Sequence, residues 1–384
     1  MTQKSDVKTN QFQNVYFKLE ATAAWAAGDT DYSTSGIQVR TRELVDLSPV
    51  MQELIADGTT RTGWDDVGAK PGEGRKMADG IDFKSAISPA STSGANVKAD
   101  NLSSYLTWMF GKRTAPLSIK TSGSSTTTTV FTSAAHGYSL NQVIRIGSDY
   151  TAVGTLVSAQ AFECAIPLST APSTATTVFA FEMYDVNTAS GVKPVCAAVV
   201  NNDTEITYHL MGGMMQGIEI NAFKSGEVIE MSPKWAFADW SREAVTAATT
   251  AAQSDSIIAG VSGTGLTMLD ASGARYAPIC AEISTMVGIG HEWTDDIGST
   301  NGKAGYSAIP ADSASEMTLY QDGTMSKLEA LKGVQTPIMV AAGKAGVYYP
   351  EAYISEYPVN TAIGMQNGVK VKFICGRGYV WRGL

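Results

Sequence analysis

Residues 213–240, GMMQGIEINAFKSGEVIEMSPKWAFADW, alternate in polarity over a length that constrains the chain more than any other stretch. By parity Met214, Ile218, Ile220 and Ala222 share one side, and Gly217, Glu219 and Asn221 the other. After Lys224-Ser225-Gly226 the alternation resumes, with Ile229, Met231, Trp235 and Phe237 set against Glu230, Ser232, Lys234 and Ala236. Successive side chains of a strand point to opposite faces, so the pattern predicts a long two-faced hairpin. One face requires a core, and the other requires water or a wet surface.

The rest of the chain can supply that core. Of its 384 residues 44% are apolar and 17% charged, and the length predicts two or three domains. A net charge of −9 excludes a protein that grips nucleic acid by neutralising phosphates, which needs clustered Lys and Arg. It does not exclude a surface past which DNA slides. Cys164, Cys196, Cys280 and Cys375 lie far apart without a CxxC pair, so they read as buried thiols in a reducing compartment, a bridge formed by the fold remaining open. The start, MTQKSDVKTNQFQN, is polar and carries no secretory core, and no apolar run reaches the length of a membrane span. The expectation is a soluble protein made in a cytoplasm.

Along the chain, period-two segments dominate, and the expected class is mainly β with a few short helices. A strand-like run opens at 11–26. LSPVMQELIADG (47–58) has Ser48 as N-cap, Pro49 at the first helical position and Gly58 as stop. DNLSSYLTWMFGK (100–112) spaces Leu102, Tyr105, Leu106, Met109 and Phe110 on one helical face, with Gly111 as stop. Low-complexity Ser/Thr stretches around short strands at 115–185 predict a small inserted β module. The first domain is therefore expected to be discontinuous, 1–114 and 186–243, followed by a linker at 244–265 and a second domain at 266–384. PICAEISTMVGIGHEW places Ile279, Ile283, Val287 and Ile289 on one face and Glu282, Ser284 and Glu292 on the other. TMSKLEALKG gives a helix capped by Thr324 and stopped by Gly333. A closing hairpin turns at Asn367-Gly368, with Val369, Val371 and Phe373 inward and Lys370 and Lys372 outward. The order of elements in the two blocks predicts two β-sandwich-like domains, each with a flanking helix.

No constellation points to an enzyme. Gly343-Lys344 lacks the remainder of a P-loop, GRGYVWRG (376–383) has no following helix, and Ser262 lacks a nucleophile elbow. His136, His209 and His291 sit at no metal-ligand spacing. Asp29-Thr30-Asp31 and Asp295-Asp296 lack the EF-hand pattern and read as acidic turns. Trp235 and Phe237 carry core parity, so they are not read as a base-stacking platform, and the Met211, Met214, Met215 run reads as core. No catalytic, cofactor-binding or metal-binding residue is assigned.

The segment ITYHLMGGMMQGIEINAFKSGEVIEMSPKWAFADW (206–240) resembles part of the phage tail tube, or major tail, proteins. So do ICAEISTMVGIGHEW, EMTLYQDGTMSKLEALKG, YYPEAYISEYPV and GVKVKFIC in the second block. The resemblance is one of spacing and polarity, covers about residues 11–112 and 190–384, and points to the two-domain type with an inserted decoration domain. It implies a structural virion protein, made in the host bacterial cytoplasm and placed in the tail. Neighbouring domains would join their sheets into rings, and stacked rings would form the conduit for genome ejection. Two domains per chain imply trimers with pseudo-sixfold symmetry, with hexamers as the alternative. The implied partners are further copies of the chain, the tail terminator, tape measure and tail tip proteins, and double-stranded DNA in transit, with no membrane and no cofactor. A basic bore would bind DNA, whereas an acidic or neutral wall repels phosphates over only ~8–10 Å. On that argument Glu219, Asn221, Glu230, Ser232, Glu282 and Ser284 are the candidate lumen-facing residues, with Lys234 weakening the field locally. The competing reading is a β-sandwich adhesin of a tail tip or fibre.

Overall fold

The computed structural model describes residues 13–20, 30–47, 78–87, 91–93, 96–98, 106–108, 110–113, 118–186, 193–202, 206–221, 226–248, 264–295, 303–320, 325–342, 345–357 and 368–382. Before the insertion come β1 (Gln13–Leu19), β2 (Ile37–Val39), β3 (Ala78–Asp82), β4 (Ser85–Ala86), the small hairpin β5 (Ser91–Ser93) and β6 (Asn96–Lys98), and β7 (Phe110–Arg113). The insertion holds β8 (Ile119–Lys120), β9 (Thr129–Phe131), β10 (Val143–Ile146), β11 (Asp149–Ser158), β12 (Ala161–Cys164) and β13 (Thr177–Ala180). The first half then resumes with β14 (Glu182–Val186), β15 (Val195–Asn201), β16 (Ile206–Asn221), β17 (Glu230–Phe237) and β18 (Asp239–Arg242). The second half runs through β19 (Thr264–Leu269), β20 (Arg275–Tyr276), β21 (Cys280–Asp295), β22 (Lys303–Pro310), β23 (Ser313–Tyr320), a short helix (Met325–Glu329), β24 (Thr336–Ala342), β25 (Ala345–Glu356), β26 (Gly368–Cys375) and β27 (Tyr379–Arg382). The fold class is mainly β.

The opening hairpin is formed by β16 and β17, but its alternation is interrupted. Met214 and Met215 face Ala236 and Trp235, after which Gly217 faces Lys234, so Gln216 is an extra residue on β16. The bulge exchanges faces: Met215, Ile218 and Ile220 enter the main core, whereas Met214 is buried on the other side. The expected grouping of Met214 with Ile218 is corrected by that one residue. A second irregularity at Leu210–Gly213 carries β16 away from β15, with Gly212 at φ 63°.

The two halves repeat one pairing plan. β16 takes β15 and β18 along its first part and β17 along its second, as β25 takes β24 and β27 and then β26. β1 lies between β15 and β2, as β19 lies between β24 and β20. β3 and β4 flank β17 as β23 flanks β26. Even the bulges correspond: Met214, Met215 and Gly217 meet Ala236, Trp235 and Lys234, while Tyr353, Ile354 and Glu356 meet Ile374, Phe373 and Lys372. The sequences at these bulges, MMQG and YISE, share no residue. The conserved feature is the bend a long strand needs to pass from one layer to another.

The halves are not separate bodies. Gly217–Ile220 of β16 pair antiparallel with Thr285–Gly288 of β21, which joins both halves into one sheet. One apolar cluster contains Phe17, Ile218, Trp235 and Phe237 from the first half and Val287, Met317, Tyr349 and Phe373 from the second. Residues 106–108 are helical and Leu106 enters this cluster, as does Leu328 of the second helix. The expected helix at 100–112 is shorter than its periodicity, because Phe110–Arg113 pair with β14 and Gly111 lies within a strand. The expected helix at 47–58 lies outside the described residues, apart from Leu47. Of the expected linker, Val245 and Ala248 pack on the first half, Tyr32 N donates to Thr246 O at 2.9 Å, and Thr264 and Gly265 already belong to β19. None of the four cysteines is bridged.

The insertion is a closed barrel. Its strands follow the order β8-β13-β10-β11-β12-β9, and Ser122 N→Phe131 O (2.8 Å) and Ser133 N→Lys120 O (2.9 Å) join the two ends. Val130, Ile144, Val153 and Phe162 fill it. Closure removes the exposed edges that a six-stranded open sheet would present. The barrel docks through Val143, Ala152 and Ile166 against Met339, Tyr348 and Trp381, and Arg275 pairs with Asp149 at 3.2 Å across the junction. Replacing the fully buried Trp235 by Ala should lower stability by about 3–5 kcal/mol. Urea unfolding of the two proteins measures it, and a loss below about 1 kcal/mol would contradict a shared core at this site.

Candidate functional site

Register places every candidate residue. Across the sheet β3/β4–β17–β16–β21–β23–β26, residues directly opposite one another share a face. Glu230 lies opposite Asn221, and Ser232 opposite Glu219. Ile220 faces Thr285 and Glu219 faces Met286, so Asn221 is level with Ser284. Ser284 faces Glu316 and Glu282 faces Thr318, and Glu316 and Thr318 face Lys372 and Lys370. All six candidates therefore lie on one face of one sheet, although they come from both halves of the chain. The opposite face carries Ile218, Ile220, Met231, Trp235, Ile283 and Val287 into the core.

The six are unequal in access. Glu219, Asn221 and Ser284 line a shallow depression of about 280 Å³ with Met286, Glu316 and Lys372. Glu282 is exposed and Glu230 half-buried. Ser232 differs from its expectation: it shares the face but is only 4% exposed, so it cannot touch anything sliding over the surface. Parity reports a side chain's direction and is silent on what covers it. Here Arg42 N donates to Lys84 O at 2.9 Å, which brings the 42–46 segment against this edge of the sheet.

The face is charge-paired rather than plainly acidic. Lys234 Nζ donates to Glu219 Oε1 at 2.5 Å, and Arg42 meets Glu230 at 2.8 Å. Lys370 meets Glu316 at 2.9 Å and Lys372 meets Glu356 at 3.5 Å. The hydrogen bond to Glu219 raises the Lys234 ammonium, partial burial opposes it, and the charges of Glu219 and Asp82 raise it further. Burial raises the Asp82 carboxyl, with Lys234 opposing. Most charges on this face, expected to be acidic or neutral, are thus paired, and the basic partners Arg42, Lys370 and Lys372 come from other strands and loops, so the hairpin's own pattern could not announce them.

The layers fix what lies behind this face. Beneath it come the main core and then a second layer, β20-β19-β24-β25-β27-β14-β7. Ile338, Val340, Val347 and Val380 of that layer point into the main core. Met339, Tyr348, Tyr379 and Trp381 point the other way, to the barrel. The polar face and the barrel are thus on opposite sides of the molecule.

The histidines with described side chains have structural partners. His136 accepts from Tyr138 N at 2.9 Å through Nδ1, and its Nε2 lies 3.0 Å from Ser158 O. Buried His209 meets Glu243 at 2.8 Å. His291 lies on β21, but its side chain is outside the described residues, as is Asp296. Among the described residues no group of three or more His, Cys, Asp or Glu is arranged to hold a metal. Burial pushes the Cys164 and Cys280 thiols up to about 12, unsuited to nucleophilic work at neutral pH. The chain matches no protein-family model, and no curated protein matches it.

A raised lysine gives a signed pH dependence. The stabilisation from Lys234 is fully present below its ordinary 10.5 and is lost as pH rises through the higher folded value. Between about pH 9 and about pH 12 the melting temperature of the native protein should therefore fall more steeply than that of Lys234→Met. Parallel curves would show that the pair with Glu219 does not stabilise the fold.

Proposed function

We propose that the chain is a structural subunit of a phage tail tube, assembling into stacked rings whose bore passes double-stranded DNA without chemistry. The observation that carries the reading is the single polar face assembled from both halves, backed by one core and set opposite the barrel. In a ring with that face inward, the wall would present paired charges to the DNA and the barrel would decorate the outside. The electrostatics suit passage. DNA carries one negative charge per ~1.7 Å of axis, and a wall with clustered unpaired Lys or Arg would hold it through counterion release. Among the described residues Arg42, Lys234, Lys370 and Lys372 each have a carboxylate beside them on this face, so that driving force is weak and screened within ~8–10 Å.

The repeated halves suit a pseudo-sixfold ring of three chains, with six chains as the alternative. The partners under this reading are other copies of the chain and the terminator, tape measure and tail tip proteins, in a virion assembled in the bacterial cytoplasm. No enzymatic role is proposed. Electron microscopy of the purified protein and of its virion should reveal annular particles or tubes, with the chain distributed along the tail shaft. A label confined to the tail tip would favour the adhesin reading instead. In correctly assembled particles, Glu219→Lys with Glu230→Lys should slow genome delivery by removing the partners of Lys234 and Arg42. Delivery at the native rate would place these side chains away from the DNA.

A further inference from the structure

The barrel carries its few charges unevenly. Residues 118–181 contain two basic side chains, Lys120 and Arg145, and two acidic ones, Asp149 and Glu163. Asp149 is held at the junction with the body, where it accepts from Ser169 N at 2.7 Å and pairs with Arg275. Glu163 lies on β12, which stands three strands from β13 in the closed order and so on the far side of the barrel. Both cations lie on the outer surface of three adjacent strands, β8, β13 and β10. Arg145 is opposite Phe179, and Lys120 is opposite Thr177 across the other edge of β13. At the usual spacing of strands they stand about 10 Å apart across the sheet, with Phe179 between them.

On the polar face Arg42, Lys234, Lys370 and Lys372 each meet a carboxylate. Among the described residues no carboxylate pairs with Lys120 or Arg145. The Arg145 Cζ stands 4.8 Å from the centroid of the Phe179 ring, and its Nε is buried with no hydrogen-bond partner. Phe179 itself is 39% exposed. Packing alone accounts for a cation over a ring. It does not account for a second unpaired cation two strands away, nor for a large ring left in water between them. A guanidinium held over a ring keeps its outer N–H groups for a planar oxyanion.

A partner for this face must bring an oxyanion to Arg145, a second one to Lys120, and an apolar surface to cover Phe179. A chain of net charge −9 repels a densely charged polymer, and two cations release few counterions from nucleic acid. The closed barrel offers an acidic peptide no strand edge to extend. A sugar ring needs neither: it is a rigid plate with an apolar face and a polar rim, and its acidic substituents are sparse. We propose that the β8–β13–β10 face binds an anionic polysaccharide. The sugar packs on Phe179, its carboxylate or phosphate takes the outer N–H groups of Arg145, and the next acidic group pairs with Lys120. Binding here requires neither a ring nor a tube.

Isothermal titration of the full chain at low salt tests it, with oligogalacturonate and a phosphomannan as the two acidic sugars and dextran as the neutral one. At least one acidic sugar should bind, the better one telling carboxylate from phosphate, and dextran should not. Arg145→Met should weaken binding about ten-fold or more, and Arg145→Lys should restore little of it, because an ammonium lacks the planar fork. Lys120→Met should cost about three-fold, as expected of one exposed charge. Lys332→Met removes a cation over Tyr357 outside the barrel and should leave the affinity unchanged, with native melting temperatures showing that each variant is folded. No binding of either acidic sugar overturns the proposal, as do native affinity in the Arg145 variants and tighter binding of poly-glutamate or oligo-dT. A monomer that binds but never forms tubes would sink the tube reading and leave this site standing. Tubes that bind neither sugar would do the reverse.

Discussion

The arrangement of the whole molecule depends on the close approach of β16 to β21. Four residues on each strand make the seam, and the approach is close at Gly217, where a Cβ would stand 3.2 Å from Val287 O. Below the seam, Tyr349 Oη reaches from the second layer to Met286 O at 3.1 Å and Ala314 O at 2.9 Å. Thr285 Oγ1 adds a bond to Ile220 O at 3.2 Å. The Thr285 bond and the four-residue ladder hold the two halves at a fixed register, and the register alone puts Asn221 beside Ser284 and Glu219 beside Met286. A slip by one residue would turn each polar side chain into the core.

From that seam the layers follow in order: a charge-paired polar face, a sheet shared by both halves, one apolar core, a second sheet, a second apolar cluster and a closed barrel. The barrel is docked by a substantial hydrophobic contact that includes the fully buried Trp381, so its position relative to the polar face is set by packing rather than by a tether. The electrostatic character of the polar face is equally a product of the fold, since Lys234 meets Glu219 across one pair of strands and Arg42 reaches Glu230 from a loop distant in sequence.

Much of this was legible in the chain where one physical rule dominated. Alternation assigned Trp235, Phe237, Val371 and Phe373 to the interior, where all are buried. The order of elements pointed to a repeat, and the register of β15–β18 and β24–β27 carries it. Alternation failed where a strand takes an extra residue: nothing in MMQG marks Gln216 as the bulge that removes Met214 from the face of Ile218. It failed again at Ile279, assigned to the core but 59% exposed, because Ala281 is an extra residue between Cys280 and Glu282 and exchanges the faces. Helical spacing overreached at Phe110 and Gly111, where pairing with β14 overrides it. Burial of Ser232 and pairing of Glu230 both depend on chain segments far away in sequence, to which a local pattern is blind.

The polar face, rather than any single residue, is what the functional account stands on. Cryo-electron microscopy of the assembled protein at side-chain resolution tests it most directly. The account predicts rings in which Glu219, Asn221, Lys234, Glu282 and Ser284 line the bore and the barrel of residues 119–180 projects from the outer surface. Rings with the barrel inside, or with this face buried between stacked layers or turned outward, would contradict it.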